Sequence, residues 1–322
     1  DQRYSNLWVI GADGSGHRAL TTGMINAHTP RWSPDGSKLA YISNANTVND
    51  EGAKPQIFVR DWKTGDVTMI SHLSETPSGI TWAPDGSQIA FTMLKPGDAP
   101  KFADVPTPPK GAKWKAAPRV TDKMVYRFNG AGYLPHGYNH IFTIPTEGGT
   151  ARQISSGNFH HAGPSSRAGA LSWTPDSNTI VVSANRRDNA DWEPFNTEVY
   201  AFDVTSGAVS QLTDRNGPDS DAVVSPDGRW VAYTGFDDKK FGFHRAALYI
   251  QDMNSGDRRI LTDDLDRTVN AHRWAADSKG LYFGYDSEGV TTLGYVNLSG
   301  KRRDIIDNVS GDSGYSAYGG NA

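Results

Sequence analysis

Residues 186–198, RRDNADWEPFNTE, gather Arg186, Arg187, Asp188, Asp191, Trp192 and Glu193 within eight positions. Guanidinium and carboxylate groups form charge-assisted hydrogen bonds, so this stretch either holds a charged ligand or pairs its own charges on a solvated loop. A second stretch, TDKMVYRFNGAGYLPHGYNH (121–140), carries Tyr126, Arg127, Phe128, Tyr133 and Tyr138, enough aromatic area to pack back on something. It reads as a loop clamped to its own element or as a gate or docking element, with Tyr126, Arg127 and Tyr133 as candidates. His136 and His140 flank Gly-Tyr-Asn, and His160 and His161 are adjacent. Neighbours on a strand point to opposite faces and no third ligand stands out, so no metal is expected at either pair. The Asp-rich TDDLD (262–266) and GPDSD (217–221) lack the spacing of a calcium loop and read as solvated turns. GADGSG (11–16) reads as a hairpin turn rather than a phosphate loop, because no helix follows it. No cofactor is implied.

The elements that position these residues must come from a chain of 322 residues, 37% hydrophobic, long enough for one large or two ordinary domains. Its 34 Gly, 18 Pro and 9 Trp lean towards a turn-rich β protein packed through aromatics. A net charge of −4 supplies no basic footprint, which argues against nucleic acid as a partner. The absence of cysteine excludes disulfides, thiolate metal sites and a cysteine nucleophile, but does not set the compartment. No apolar run approaches the roughly 18 residues of a membrane span. The opening DQRYSNLWVI lacks the layout of a signal peptide and reads as already inside a strand, so any export signal would lie upstream.

One phrase recurs five times: RWSPDGSKLAY (31), TWAPDGSQIAF (81), SWTPDSNTIVV (172), VVSPDGRWVAY (223) and RWAADSKGLYF (273). Its second turn residues, Pro34, Pro84, Pro175, Pro226 and Ala276, are spaced by 50, 91, 51 and 50 residues. A period near 50 points to propeller blades. Proline presets φ at the second position of a type I turn, the aspartate bonds local N–H groups, and glycine accepts the left-handed conformation that follows. Strands on either side should alternate in burial. A second hairpin closes each unit, as in PQIFVRDWKTGDVTMIS (55–71), so each unit holds four strands, one blade. Trp32, Trp82, Trp173 and Trp274, with Val224 in the fourth unit, are expected to pack one blade on the next.

The long interval is one period plus 41 residues, placing an insertion at about 95–137 within one blade. Its first part is rich in Pro, Lys and Ala without apolar periodicity, as expected of an irregular surface excursion. Residues 5–22 match only the second half of a repeat, and a sixth turn would fall beyond Ala322. The expectation is an all-β propeller over 1–322 with five full repeats and a partial blade at each end. Open blades should expose sheet edge and favour self-association into a homo-oligomer or capture of a complementary fragment.

The WSPDG…LAY units, the VYRFNGAGY insert and ANRRDNADWEPFNTEVYAFD together resemble the propeller of prolyl-oligopeptidase-family serine peptidases, nearest to the acylaminoacyl-peptidase and dipeptidyl-peptidase-like members. The resemblance covers essentially the whole chain. It implies seven blades in the complete protein, covering a C-terminal α/β-hydrolase domain with a Ser-Asp-His triad, and a propeller that filters access of short peptides or acyl-peptides. It also implies that Arg186, Arg187, Asp191, Trp192 and Glu193 face substrate, a carboxylate holding a peptide's amino terminus or an arginine its carboxylate or acyl group. The chain contains no G-x-S-x-G, so by itself it should not hydrolyse peptides. Export to the bacterial periplasm, or secretion, is the localisation the resemblance carries. The repeat alone is also shared with TolB-like periplasmic propellers, which leaves a non-enzymatic protein-binding module as the rival reading.

Overall fold

The computed structural model describes residues 3–45, 52–104, 106–115, 118–161 and 170–311. It is all-β among the described residues. A short hairpin, β1 (Trp8–Val9) and β2 (Arg18–Ala19), precedes five four-stranded antiparallel sheets in chain order. Blade 1 is β3 (Ala27–Trp32), β4 (Lys38–Ser43), β5 (Gln56–Asp61) and β6 (Val67–Met69). Blade 2 begins with β7 (Pro77–Trp82) and β8 (Gln88–Pro96). A small hairpin, β9 (Arg127–Phe128) and β10 (Gly132–Tyr133), then intervenes before β11 (Gly137–Pro145) and β12 (Arg152–Gln153) complete the sheet. Blade 3 is β13 (Ser172–Trp173), β14 (Thr179–Ala184), β15 (Glu198–Asp203) and β16 (Val209–Gln211). Blade 4 is β17 (Asp219–Val224), β18 (Trp230–Gly235), β19 (Ala247–Asp252) and β20 (Arg258–Ile260). Blade 5 is β21 (Val269–Trp274), β22 (Gly280–Ser287), β23 (Val290–Asn297) and β24 (Arg302–Gly311).

The repeated phrase makes the first hairpin of every blade. Ser33 Oγ donates to Asp35 Oδ1 at 2.6 Å, the Ser37 N–H donates to the same oxygen at 3.0 Å, and Gly36 sits at φ 71°. These bonds to the ionised form hold the Asp35 carboxyl down, to about 2. Ser177 and Ser278 take the left-handed position in repeats 3 and 5, at φ 60° and 58°. There the hydroxyl accepts the N–H of the preceding blade's turn aspartate, Asp85 at 3.1 Å and Asp227 at 3.0 Å.

The second strands of blades 1 to 4 do not alternate, whereas that of blade 5 does, with Tyr282 exposed between buried Leu281 and Phe283. Lys38–Ser43 is buried at five consecutive positions, and Trp230–Gly235 at all six. The middle strands of a blade are covered on both faces by neighbouring blades, so both faces must be apolar. The core is accordingly a series of seams. Ile42, Ile57 and Val59 of blade 1 meet Ile80, Phe91 and Ile144 of blade 2, and equivalent clusters join blades 2 to 3, 3 to 4 and 4 to 5. The tryptophans bind these seams: Trp82 Nε1 donates to the Arg31 carbonyl and Trp274 Nε1 to the Val223 carbonyl, both at 2.9 Å. Trp32 is the exception. It is 47% exposed and meets Trp62 edge-on at 4.5 Å, because no four-stranded blade precedes it in the described residues. The β1–β2 hairpin lies on that side, with Leu7 packed on Ala27, Tyr41 and Phe58.

In this up-and-down order the first-to-second and third-to-fourth turns lie at one end of the blades. The second-to-third connections and the passages between blades lie at the other. The repeated turns occupy the first end. The long connections, including 97–136 and 185–197, all emerge at the second. The position at which a sixth turn would fall lies outside the described residues.

Candidate functional site

Three loop-end segments meet above blades 2 and 3: the excursion 97–136, the start of the passage from β12 (154–161), and the connection 185–197. They enclose two adjoining clefts of about 480 and 440 Å³ that share a wall of Lys123, Val125, Tyr138, Asn158 and His160. The excursion leaves from Pro96 and returns at Gly137, where the two ends of a β8–β11 ladder come together. Gly137 has φ 120°, and a Cβ there would lie 2.2 Å from the Lys95 carbonyl oxygen. Only glycine closes this neck.

Lys123 spans the shared wall. Its ammonium lies 5.3 Å from the centre of the Tyr138 ring and 4.0 Å from Asp191, and a hydrogen bond with Tyr138 is the main reason its pKa is held above the usual lysine value. His160 rests against the same tyrosine, ring centres 5.0 Å apart, and its Nδ1 accepts the Asn139 N–H at 3.2 Å. Beneath them lies a buried chain. His140 Nδ1 is 3.0 Å from Ser155 Oγ, and that oxygen accepts the Ile141 N–H at 2.9 Å and lies 3.3 Å from His161 Nδ1. Burial pushes the imidazoles towards the neutral form: His140 to about 4, His161 to about 3, and His160 downward.

The sequence candidates take different positions. Arg186 turns inward: it donates to His161 Nε2 at 2.7 Å and to the Ser156 carbonyl at 3.2 Å, with its guanidinium 4.9 Å from the Phe159 ring centre and 5.5 Å from that of Phe202. Arg187 lines the second cleft and donates to Glu198 Oε1 at 2.7 Å, while Glu198 Oε2 accepts from Thr213 Oγ1 at 2.7 Å. Burial nevertheless raises the Glu198 pKa. Asp191 lines the second cleft opposite Lys123. Glu193 bonds back within its own loop to Asn196 Nδ2 at 3.1 Å, and Trp192 projects into solvent at 77% exposure. In the excursion Tyr126 lines the first cleft and stacks on Tyr133 at 6.1 Å. Tyr133 also carries Arg119 over its ring at 4.4 Å, and Arg127 is exposed on β9.

The Asp-rich loops are not wholly solvated. Asp219, inside GPDSD, is fully buried and pairs with Arg215, which also donates to the Tyr249 hydroxyl at 2.7 Å. The residue opens β17 at the seam of blades 3 and 4, where a carboxylate is kept only with such a partner. Asp264 of TDDLD instead pairs with Arg302 at 2.9 Å near the surface.

No protein-family model matches the chain. Dipeptidyl-peptidase 5 of Porphyromonas gingivalis is 27% identical over 316 residues, which is 93% of this chain and 43% of that protein. Among solved structures, the acylaminoacyl peptidase of Pyrococcus horikoshii matches with a TM-score of 0.61 and 22% identity over 87% of this chain and 38% of its own. The chain is a β-propeller, similar over nearly its whole length to part of such peptidases. TolB of Acinetobacter baumannii, TM-score 0.56 and 17% identity over 95% of this chain and 60% of its own, shares the propeller fold. The propeller thus spans less than half the length of the dipeptidyl-peptidase that it matches over nearly its whole extent.

Lys123, Asn158 and His160 of the propeller's cleft escape a reading by residue type and spacing. Lys123 sits in a segment without periodicity, and His160 is informative only as one of two adjacent histidines that must point apart. Glu198 lies within the charged segment, but its burial against Arg187 depends on where β15 begins.

Proposed function

We propose that this propeller is the substrate-admitting part of a serine peptidase that acts on short peptides or acyl-peptides. The excursion and the 185–197 connection would line the way in. The observation that carries this reading is the 27% identity to a dipeptidyl-peptidase across 93% of the chain. The nucleophile is assigned to an α/β-hydrolase domain outside these residues, since no G-x-S-x-G occurs among them. Within the cleft Arg187, Asp191 and Lys123 are the polar groups placed to meet a peptide's charged ends. Arg186, Trp192 and Glu193 act on the shape of the 185–197 connection instead. Tyr126, Tyr133 and Arg127 form the outer lip of the excursion.

The test is hydrolysis of dipeptidyl- and acetylalanyl-aminomethylcoumarin by the parent protein and by this 322-residue chain alone. The parent should release the fluorophore and be silenced by a fluorophosphonate, and the isolated chain should be inert. A parent that lacks a fluorophosphonate-reactive serine would replace this reading with a TolB-like binding module.

A further inference from the structure

The hydrogen bonds around the first cleft determine which imidazole nitrogen carries the proton. His161 Nε2 faces an arginine N–H at 2.7 Å and must accept, so the neutral ring carries its proton on Nδ1, directed at the Asn139 carbonyl 3.2 Å away. With His161 Nδ1 protonated, the imidazole nitrogen left to accept the Ser155 hydroxyl proton is His140 Nδ1, 3.0 Å away. His160 Nδ1 accepts the Asn139 N–H. Both His140 and His160 are therefore left with Nε2–H, a donor, and both line the first cleft. Lys95, Arg119 and Lys123 line it as well, against the carboxylates of Asp98 and Asp122. Its floor offers hydrogen-bond donors fixed by their neighbours, under an excess of positive charge.

We propose that this lobe is a carboxylate subsite, receiving the C-terminal carboxylate or an acidic side chain of a peptide against Lys123, His140 and His160. The inference rests on the peptidase reading for its ligand class, yet it is tested by binding alone, so it can fail while the parent's hydrolysis stands, and the reverse. A carboxylate has acceptors only, and a cleft floored by donors favours it over an amide of the same shape by charge-assisted hydrogen bonds. The neighbouring lobe holds Arg187 against Glu198 and adds the carboxylates of Asp188 and Asp191, which disfavour an anion there.

Calorimetric titration of the 322-residue chain near neutral pH with Ala-Ala-Ala, its C-terminal amide, and Ala-Asp-Ala amide decides the matter. Ala-Ala-Ala should bind about tenfold tighter than its amide, and Ala-Asp-Ala amide should recover affinity only if an acidic side chain serves as well as the terminus. Lys123→Met should abolish the preference for the free acid while the melting temperature holds, since Lys123 is half-exposed, and Lys123→Arg should retain it. Equal affinity for acid and amide, no binding of any of the three, or acetate binding as tightly as the tripeptide would overturn the proposal.

Discussion

The two ends of the blades solve different problems with the same backbone. At the turn end, five versions of one phrase repeat the same hydrogen bond, from the N–H two residues on to the turn aspartates Asp35, Asp85, Asp176, Asp227 and Asp277, and two of them hand hydroxyl bonds from blade to blade. At the loop end no two connections are alike. One runs from Gly97 to His136, while the corresponding turn of blade 5 is two residues, Glu288 and Gly289. Most of the exposed aromatics follow the same division, Trp32 at the turn of blade 1 being an exception. Phe102, Trp114, Trp192, Phe195, Phe241 and Phe243 all stand on loop-end connections. Regularity closes the blades on one another and leaves the other end free to vary, so that chemistry accumulates where the repeat is interrupted.

One change made at both ends gives the sharpest contrast. Gly36→Ala at the turn end places a Cβ where nothing lies within 4 Å, so only the left-handed backbone resists. It should cost about 1 kcal/mol. Gly137→Ala at the neck meets three backbone atoms within 2.9 Å as well as a positive φ. The backbone there must shift, at roughly 3–5 kcal/mol. Urea unfolding should separate the two variants clearly, and limited proteolysis of Gly137→Ala should cut first in the excursion. Similar midpoints for both would mean that the neck is not a fixed point of the loop end.

This contrast also marks how much could be read beforehand. The turn end was legible because Pro-Asp-Gly chemistry is local: the turn needs those residues at those positions whatever surrounds them. Blade order, the place of the excursion and the tryptophan seams follow from the ruler that the turns supply. The loop end is positioned by its neighbours instead. Arg186 and Arg187 are adjacent, yet one packs into an aromatic cage on His161 and the other pairs with Glu198 beside the cleft. Nothing in their spacing distinguishes them. Asp219 was masked in the same way, since a buried carboxylate and a solvated one look alike until Arg215 is placed beside it.

Acid should unfasten the two ends in order. His140 and His161 are buried neutral, with folded pKa values of about 4 and about 3 against 6.5 when unfolded. Below pH 6.5 the unfolded chain takes up protons that the folded chain refuses, so stability is full above that pH and falls towards pH 4. The loss should be on the order of 2–3 kcal/mol for each of the two rings by about pH 4.5. The turn-end carboxylate of Asp35 behaves later. Its stabilising bonds are intact above 3.8 and are lost only as pH drops towards about 2. Unfolding free energies measured down this range should therefore fall first in a step attributable to the histidines, and His140→Gln should flatten that step. A flat profile between pH 6.5 and 4.5 would show that these rings are not held neutral.

The smallest effect tests whether blade-to-blade hydroxyl bonds compensate for strain. Ser177 holds φ at 60° where repeats 1, 2 and 4 have glycine, and its Oγ accepts the Asp85 N–H at 3.1 Å. Ser177→Gly removes about 1 kcal/mol of left-handed strain and gives up one part-buried hydrogen bond of similar worth, so the melting temperature should barely move. Ser177→Ala keeps the strain and loses the bond, and should destabilise by roughly 0.5–1 kcal/mol. If alanine were as well tolerated as glycine, the hydroxyl would contribute nothing between blades, and the turn end would be held by its tryptophan seams alone.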